Sequence, residues 1–384
     1  MPDPQKNPLA ARIGILGGGQ LGAMLLQAAL DWNLDVAIMD PDPNCPCARY
    51  ASRFVCGDIT DADQVIAFGK QLDLITIEIE NVSVAGLKAL EAQGKQVYPQ
   101  PRVVEVIGDK YRQKQFYAQH SIPTSPFGLY DPELGLTAYT DLLPAAQKLN
   151  TGGYDGRGVQ LIYSTEESNL LTGNSFLEKM VDLEREVAVI VARRQDGKMC
   201  FYDPVEGEFH PNANMVDAVR CPAQLTVNQV LEAQQLAGRV ADALDITGLL
   251  AVELFLDTQG NWLVNECAPR PHNTGHHTIE ACLTSQYQQH WRALLGLPLG
   301  PTALRCPQAA MLNLVSAEGH TGPAYYQGLD AVLGMPSVFV HLYGKASTRP
   351  FRKMGHVTII GENRAEVDEK LTRIRTNLLV ISQK

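Results

Sequence analysis

The chain has 384 residues, of which 45% are hydrophobic, so two or three domains with substantial cores are expected. Its 32 Lys and Arg against 42 Asp and Glu give a formal net charge of −10, which argues against a broad nucleic-acid or membrane surface but allows a local basic pocket. No apolar run typical of a signal peptide or membrane span is found, and the eight cysteines are scattered without zinc-site spacing. We therefore expect a cytoplasmic protein with reduced thiols.

The first 110 residues alternate between apolar runs and helical stretches. "RIGILGGGQLGAMLLQAALDW" predicts a strand, a glycine turn and a helix, while "DVAIMD" and "LDLITIEIENV" predict two more buried parallel strands. Helices are expected over 62–70 and 84–93. This alternation predicts an open Rossmann-like α/β domain over residues 1–112, followed by the proline-marked segment "SIPTSPF".

The middle of the chain, 113–300, has a different character. Most of its predicted strands are joined by short turns: "GVQLIY", "SFLEKMV", "EREVAVIVAR", "KMCFYDPVE", "LLAVELFLD" and "NWLVNECA". One long helix is expected from Thr226 to about Leu244, with Thr226 and Gln229 forming a capping box. These features predict an α+β domain with antiparallel pairing.

The last segment, 301–384, predicts a third and smaller α/β domain. "SVFVHLYGK" and "HVTIIG" are its strands, and a helix is expected from Arg364 to about Leu378. The whole chain is thus expected to combine α/β and α+β domains.

The stretch "ILGGGQLG" matches the pattern G-x-G-x-x-G through Gly17, Gly19 and Gly22. It lies between a predicted strand and helix, and Asp40 ends the next strand, which is the context of a dinucleotide-binding turn. The same helix N-terminus could instead bind another anion, such as a sugar phosphate. A glycine turn with a purely structural role is the third alternative.

The stretch "LLAVELFLDTQGNWLVNECAP" predicts a hairpin with two facing carboxylates. If 259–260 is the centre of the turn, Asp257 lies opposite Trp262 and Glu253 opposite Glu266. Two carboxylates roughly 5 Å apart repel by about 3 kcal/mol at an effective dielectric of about 20. A divalent cation would reverse that sign, and hard oxygen ligands favour magnesium shared with phosphates. The alternatives are an exposed hairpin face or a register shifted by one residue.

Three loops have compositions that suggest ligand contacts. "NTGGYDGRG", over 150–158, is dense enough in glycine to be a phosphate cradle, a flexible hairpin tip or an ordinary loop. "NECAPRPHNTGHHT" lacks helical zinc spacing and is better suited to an anionic substrate. "YGKASTRPFRKMGH" carries four basic residues within nine positions, which favours a phosphate clamp over a solvated turn.

Taken together and in this order, the motifs resemble the ATP-grasp superfamily, and within it the ATP-dependent 5-(carboxyamino)imidazole ribonucleotide synthases of purine biosynthesis. The resemblance runs from "GILGGGQLG" through "TIEIENV", "GYDGRG" and "NECAPRPHNTGH" to "RKMGH". It implies a Rossmann-like, biotin-carboxylase-like N-terminal domain, a central ATP-grasp domain and a small C-terminal domain. It also implies ATP and Mg²⁺ as cofactors, carboxylation of 5-aminoimidazole ribonucleotide with bicarbonate through carboxyphosphate, and a homodimer.

The resemblance also assigns residues to ligands. For ATP it implies Lys110, Lys148, Gly153, Tyr154, Asp155, Gly156, Arg157, Gly158, Glu178, Lys179, Met180, Val181, Glu186, His210, Asn265 and Glu266. For magnesium it implies Glu253 and Glu266. Around the ribonucleotide and the bicarbonate-derived group it implies Gly18, Gly19, Gln20, Leu21, Glu78, Glu80, Arg270, His272, Asn273, Lys345 and Arg352. The catalytic set it implies is Tyr154, Asp155, Arg157, Arg270, Lys345 and Arg352.

Other functions remain as alternatives at this point. A formate-dependent glycinamide ribonucleotide transformylase, a biotin carboxylase or another ATP-grasp ligase shares much of the motif order. A dinucleotide-dependent dehydrogenase explains the glycine turn and Asp40 but gives no role to the Glu253–Glu266 pair or the distant basic loop. A non-catalytic binding protein would not need a metal pair and a glycine-rich loop together.

Overall fold

The computed structural model describes residues 7–153, 158–210 and 215–383. Its N-terminal unit is a parallel sheet flanked by helices. The strands are β1 (Arg12–Leu16), β2 (Asp35–Asp40), β3 (Arg53–Cys56), β4 (Leu74–Ile77) and β5 (Gln96–Val97), in the spatial order β3-β2-β1-β4-β5. The helices are α1 (Gln20–Leu30), α2 (Ala62–Gly69), α3 (Val84–Ala92) and α4 (Pro101–Ile107). This is the open α/β sheet that the alternating pattern predicted.

A small antiparallel sheet follows the helix α5 (Lys110–Gln119). Its strands are β6 (Phe127–Leu129), β7 (Ala145–Leu149), β8 (Val159–Ile162) and β9 (Ser175–Lys179), in the order β6-β9-β7-β8. The sequence did not predict β7, whose five residues are too short and mixed to show a clear period.

A larger sheet spans the middle and C-terminal parts of the chain. Its strands are β10 (Leu183–Arg193), β11 (Met199–Phe201), β12 (Val205–Phe209), β13 (Val216–Cys221), β14 (Gly248–Asp257), β15 (Trp262–Ala268), β16 (Gln308–Val315), β18 (Val338–Leu342) and β20 (Lys353–Gly361). The path runs β15-β14-β10-β12-β13-β16-β20-β18, with β11 paired to β10. The strands of the predicted third domain therefore continue the sheet of the predicted second domain.

The remaining elements cover this sheet or close its C-terminal end. The helices are α6 (Val227–Leu244), α7 (Thr278–Ala281), α8 (Gln286–Leu294), α9 (Leu329–Leu333) and α10 (Arg364–Asn377). A three-stranded sheet, β19-β17-β21, consists of β17 (Gly322–Gln327), β19 (Ser347–Thr348) and β21 (Leu379–Ser382). No helix in the described ranges is long and apolar enough to cross a membrane.

Helix α6 determines which face of the large sheet is free for chemistry. Both halves of the predicted capping box are formed by Thr226 and Gln229, so the helix begins where the sequence predicted. Its apolar side packs against alternate residues of β10 and β14, including Val187, Val189 and Val252. Because successive strand residues point to opposite faces, the residues between them lie on the other face of the sheet.

Candidate active site

The β14–β15 hairpin brings the two predicted metal ligands across from each other, but not by the predicted register. Leu256, not Asp257, pairs with Trp262, so the prediction for Asp257 was wrong by one residue. The register then shifts between Val252 and Leu254, which leaves both Asn265 and Glu266 opposite Glu253. A bulge of this kind re-aims side chains at the edge of a site.

The carboxylates on this face are crowded and only partly compensated. Glu266 forms an ion pair with Lys110, whereas Glu253 has His272 Nε2 at 3.8 Å. Burial raises the pKa of Glu253. On the adjacent strand β10, burial and then the charge of Glu253 raise the pKa of Glu186 to about 8. Burial disfavours the charged forms of these neighbouring carboxyl groups, and a cation bound beside them would favour the charged forms.

The donors present fit a magnesium ion that is shared with phosphates. In the described ranges, no group of three or more His, Cys, Asp or Glu is arranged to hold a metal ion by itself. Magnesium commonly uses one or two protein carboxylates and takes its other ligands from water and substrate phosphates. Glu253 and Glu266 supply two such oxygen donors, and no thiol or histidine cluster competes for a softer metal in the described residues.

Lysines approach the same face from the neighbouring elements. Lys148, on β7, lies 2.7 Å from Glu178 on β9 and donates a hydrogen bond of 2.9 Å to Asn265. Burial would by itself raise the pKa of Glu178, but the ammonium groups of Lys148 and Lys114 lower it to about 2. Burial, followed by repulsion from Lys148, lowers the pKa of Lys110 to about 8. The result is a compact set of alternating charges next to the acidic pair.

Lys114 is a buried member of this set that the sequence interpretation missed. Its side chain is 3% exposed and pairs with Glu178 at 2.5 Å. The signal in the sequence is its position four residues after Lys110 on one helix, because residues at i and i+4 share a helix face. A lysine on an apparently polar helix is nevertheless usually solvated, so the spacing alone could not reveal the buried pair.

The N-terminal glycine turn binds the protein's own carboxylates. Glu78 accepts hydrogen bonds from the amides of Gly19, at 2.6 Å, and Gly22, at 2.7 Å. Asp40 accepts from the amide of Gly18 at 2.7 Å. The amides that a phosphate would use at a dinucleotide-binding turn therefore already have acceptors in this structure, which favours the structural interpretation of the turn. Gln20 and Leu21 form the first turn of α1.

Basic residues from two distant segments lie near these acidic groups. Arg270, after β15, forms an ion pair of 3.0 Å with Glu80, which follows β4. Lys345 donates to the carbonyl of Lys353 at 2.8 Å, and burial, then repulsion from Arg352, lowers its pKa to about 8. Glu78 acts in the opposite direction on Lys345, so the C-terminal basic loop is within electrostatic reach of the N-terminal unit.

The histidines of the loop after β15 are neutral, and contacts within the loop hold them in place. Burial and the charge of Arg270 lower the pKa of His272 to about 3, and its Nδ1 lies 3.0 Å from Thr274 Oγ1. Burial lowers the pKa of His277 to about 4. Asn273 begins the 3-10 turn Asn273–Gly275 between them. The neutral imidazole of His272, next to Glu253, can orient an anionic or carbonyl-bearing substrate without adding charge.

A cavity of about 190 Å³ lies at the junction of the small β6–β9 sheet and the large sheet. It is lined by Ser125, Pro126, Lys179, Met180, Val181, Asp182, Asp257, Thr258, Gln259 and Leu263. The amides of Lys179 and Met180 donate to the carbonyls of Pro126 and Pro144, each at 2.8 Å. These hydrogen bonds tie the end of β9 to the segments that precede β6 and β7 in the same small sheet, and the end of β9 forms part of the cavity wall.

Four of the predicted catalytic and ATP-contacting residues, Tyr154, Asp155, Gly156 and Arg157, lie outside the described residues. Gly158 has φ +77°, and a Cβ there would lie 3.1 Å from Leu149, so this position favours glycine. Gly153 is its close neighbour across the loop. His210 follows β12, and its ring lies 5.6 Å from that of Phe351 in the C-terminal basic loop.

Three family models match successive parts of the chain. They describe a ribonucleotide synthetase preATP-grasp domain over residues 10–108, an ATP-grasp domain over 115–287, and a phosphoribosylaminoimidazole carboxylase C-terminal domain over 309–370. The order of the three matches is the order of the three units expected from the sequence.

Individual proteins are similar over nearly the whole chain. The N5-carboxyaminoimidazole ribonucleotide synthase of Brucella melitensis biotype 1 is 37% identical over 91% of this chain and 96% of its own length. The chloroplastic phosphoribosylaminoimidazole carboxylase of Vigna aconitifolia is 36% identical, and the chain spans 66% of its length. The N5-carboxyaminoimidazole synthase of Aspergillus clavatus, solved with ADP and 5-aminoimidazole ribonucleotide, has a TM-score of 0.86 at 27% identity and covers 96% of this chain and 99% of its own.

Proposed function

Because the chain belongs to the N5-carboxyaminoimidazole ribonucleotide synthases, a family of ATP-grasp ligases, we propose that it carboxylates 5-aminoimidazole ribonucleotide at the expense of ATP in purine biosynthesis. The observation that carries the proposal is the set of alternating charges around the Glu253–Glu266 bulge, formed with Lys110, Lys148 and Glu178. Such a set can bind a polyphosphate and its cation together. The solved Aspergillus clavatus relative holds ADP and 5-aminoimidazole ribonucleotide, which supports the same pair of ligands here.

The nucleotide half of the site follows from the lysines and the junction cavity. Lys110 and Lys148 would contact the phosphates, and the backbone over 179–181 would contact the adenine along the wall of the cavity. Glu253 and Glu266 would hold Mg²⁺, which on binding neutralises phosphate charge during phosphoryl transfer. Glu186 and His210 are expected to complete the nucleotide contacts.

The second half of the site would bind the ribonucleotide and the carboxyl donor. Lys345 and Arg352 on the C-terminal loop would pair with the phosphate. Of the two predicted glutamates, Glu80 would face the ribonucleotide, because both oxygens of Glu78 already accept the amides of Gly19 and Gly22. Arg270 and neutral His272 would hold bicarbonate close to the acidic pair. Asn273, Gln20 and Leu21 would belong to the same half.

The reaction divides into three balanced steps. An oxygen of bicarbonate attacks the γ-phosphorus of ATP and ADP departs, which gives carboxyphosphate. Carboxyphosphate then releases carbon dioxide and phosphate. The exocyclic amine attacks the carbon dioxide and loses one proton, and the product is the carbamate. Phosphoryl transfer needs positioning and charge neutralisation more than covalent help, and the labile intermediate requires a site closed to water.

Residues of the glycine-rich loop would have two roles in this scheme. Its glycines would approach ATP and close over the intermediate, as lids do in many enzymes. Tyr154, Asp155 and Arg157 would face the second substrate, and Tyr154 or Asp155 would orient or deprotonate the amine. We also propose a homodimer and a cytoplasmic location, the latter supported by eight cysteines that are all free in the structure.

Stepwise addition of substrates tests the activity. Purified protein is incubated with ATP and Mg²⁺, and ADP release is measured after adding bicarbonate and then 5-aminoimidazole ribonucleotide. We expect stimulation by the ribonucleotide that depends on bicarbonate. A lack of stimulation contradicts the proposal, and stimulation by formate with glycinamide ribonucleotide would assign the chain to the transformylase reaction instead.

A further inference from the structure

We propose that Lys114 is a positioning residue for the nucleotide half of the site: it fixes the Glu178 carboxylate and, through it, the ammonium group of Lys148. The inference rests on the proposed use of ATP. It adds a residue that contacts no ligand itself and that the sequence motifs do not include.

The hydrogen bonds of Lys114 leave it no donor for a substrate. Its Nζ donates to Thr124 Oγ1 at 2.7 Å, to Glu178 Oε1 at 2.5 Å and to the carbonyl of Val264 at 3.2 Å. An ammonium group has three N–H donors, so all three have acceptors. With a side chain 3% exposed, Lys114 can act only through the groups it holds.

Glu178 passes this constraint on to Lys148. One carboxylate oxygen of Glu178 faces Lys114, and the other lies 2.7 Å from Lys148 Nζ. Lys148 also donates to Asn265 Oδ1 at 2.9 Å, next to the proposed metal ligand Glu266. The Lys148 side chain is 13% exposed and that of Lys114 is 3% exposed. Lys148 is therefore the lysine of this pair that can contact a ligand.

The second lysine also balances the charge of Glu178. One carboxylate oxygen is paired with Lys114, which leaves only the other to attract Lys148. Without Lys114, the whole buried carboxylate would draw the Lys148 ammonium group toward itself and away from a polyphosphate. Burial lowers the pKa of Lys114 to about 8, and the charge of Glu178 acts against this decrease. Lys114 therefore remains charged at neutral pH.

The same residue connects three segments around the junction cavity. Thr124 Oγ1 also donates to the Val264 carbonyl at 2.7 Å, so α5, the following linker and β15 meet at the Lys114 ammonium group. Glu178 lies one residue before the backbone that lines the cavity. Fixing Glu178 therefore fixes the end of β9 and the direction in which Lys148 points.

The test compares two substrates and measures ADP binding directly. For Lys114→Met we expect ADP affinity, measured by calorimetry with Mg²⁺, to fall by about tenfold or more, the scale of losing one charge-assisted contact. The KM for ATP should rise with it, whereas the KM for 5-aminoimidazole ribonucleotide should stay within about twofold. Lys114→Arg keeps the charge and should recover most of the lost affinity.

A control and a double variant make the result specific. Tyr117→Phe removes a hydroxyl at the same α5–β15 contact, where it donates to Gln113 Oε1 at 2.5 Å and lies 3.2 Å from Cys267 Sγ on β15, but it leaves the ion pairs intact. It should not change ADP affinity. If Lys114 acts only through Glu178, the double variant Lys114→Met with Glu178→Gln should bind ADP as weakly as Glu178→Gln alone. This comparison remains available even if Lys114→Met does not fold by itself.

The outcomes separate the two proposals. Failure of the unaltered protein to bind ADP would contradict the proposed function and not this inference in particular. Unchanged ADP affinity in folded Lys114→Met, equal increases in both KM values, the same loss in Tyr117→Phe, or an additional tenfold loss in the double variant would overturn the role of Lys114.

Discussion

Replacing Glu78 with glutamine tests whether a carboxylate of the protein holds the N-terminal glycine turn. The two oxygens of Glu78 accept the amides of Gly19 at 2.6 Å and Gly22 at 2.7 Å. Glutamine has nearly the same shape but keeps only one acceptor oxygen, and its NH₂ group would face an N–H donor. The substitution therefore removes one hydrogen bond and the negative charge at the start of α1.

The size of the effect follows from these contacts. A hydrogen bond to a charged group contributes about 1.5–3 kcal/mol net. Burial raises the pKa of Glu78, which means that desolvation offsets part of this gain. We therefore expect the turn and the first part of α1 to lose about 2 kcal/mol of stability, near the lower end of this range. The equilibrium constant for their local unfolding would then rise about thirtyfold.

Hydrogen–deuterium exchange with mass spectrometry measures this locally, without assuming that a chain of several units unfolds in one step. The peptide that covers α1 should exchange about thirtyfold faster in Glu78→Gln. Asp73→Asn is the control: Asp73 also accepts a backbone amide, that of Arg12 at 2.9 Å, but it is half-exposed. It should leave α1 exchange unchanged, and an α1 rate in Glu78→Gln within threefold of the unaltered protein would refute the reasoning.

Three further outcomes are expected. Glu266→Ala should abolish ADP release while circular dichroism and the melting temperature change little; retained turnover would contradict the metal assignment. Burial lowers the pKa of Lys345 to about 8, so its charge is lost as pH rises through that value and kcat/KM for the ribonucleotide should fall above about pH 8. In Lys345→Arg the pH at which kcat/KM falls should be higher. An identical pH profile in both proteins would exclude Lys345 as the phosphate contact. Thr226→Ala should cost about 1 kcal/mol of stability by removing the cap of α6, seen in chemical denaturation, with a smaller effect of Thr226→Ser as control.

Much of the local structure could be predicted because its causes are close in sequence. The α6 capping box involves residues three positions apart, so the start of the helix could be predicted. Strands β10 and β14 could be predicted from their apolar runs. The parallel β1, β2 and β4 were predicted from apolar runs. The strands that were missed are β3, β5, β6, β7, β13, β16, β17, β19 and β21. Strand β13 has a mixed burial pattern that gives no clear period.

The candidate site was predicted in composition more than in geometry. Glu253 and Glu266 were expected to meet, and they do, but through a bulge that no turn-based register can anticipate. The glycine turn was expected to offer its amides to a ligand, and in the structure Glu78 and Asp40 accept them. The roles assigned to individual site residues stay predictions until the variants described above are measured.

The sequence by itself determined the periodic elements, the helix cap and the order of the glycine, acidic and basic motifs, because each depends on residues within a few positions of one another. Only the tertiary structure decided which charges meet. Lys114 reaches Glu178 across 64 positions and Val264 across 150, and neither distance leaves any period in the sequence. Such contacts are set by how α5 packs against the small sheet that contains β9 and the large sheet that contains β15. This packing brings the separate motifs together into one site.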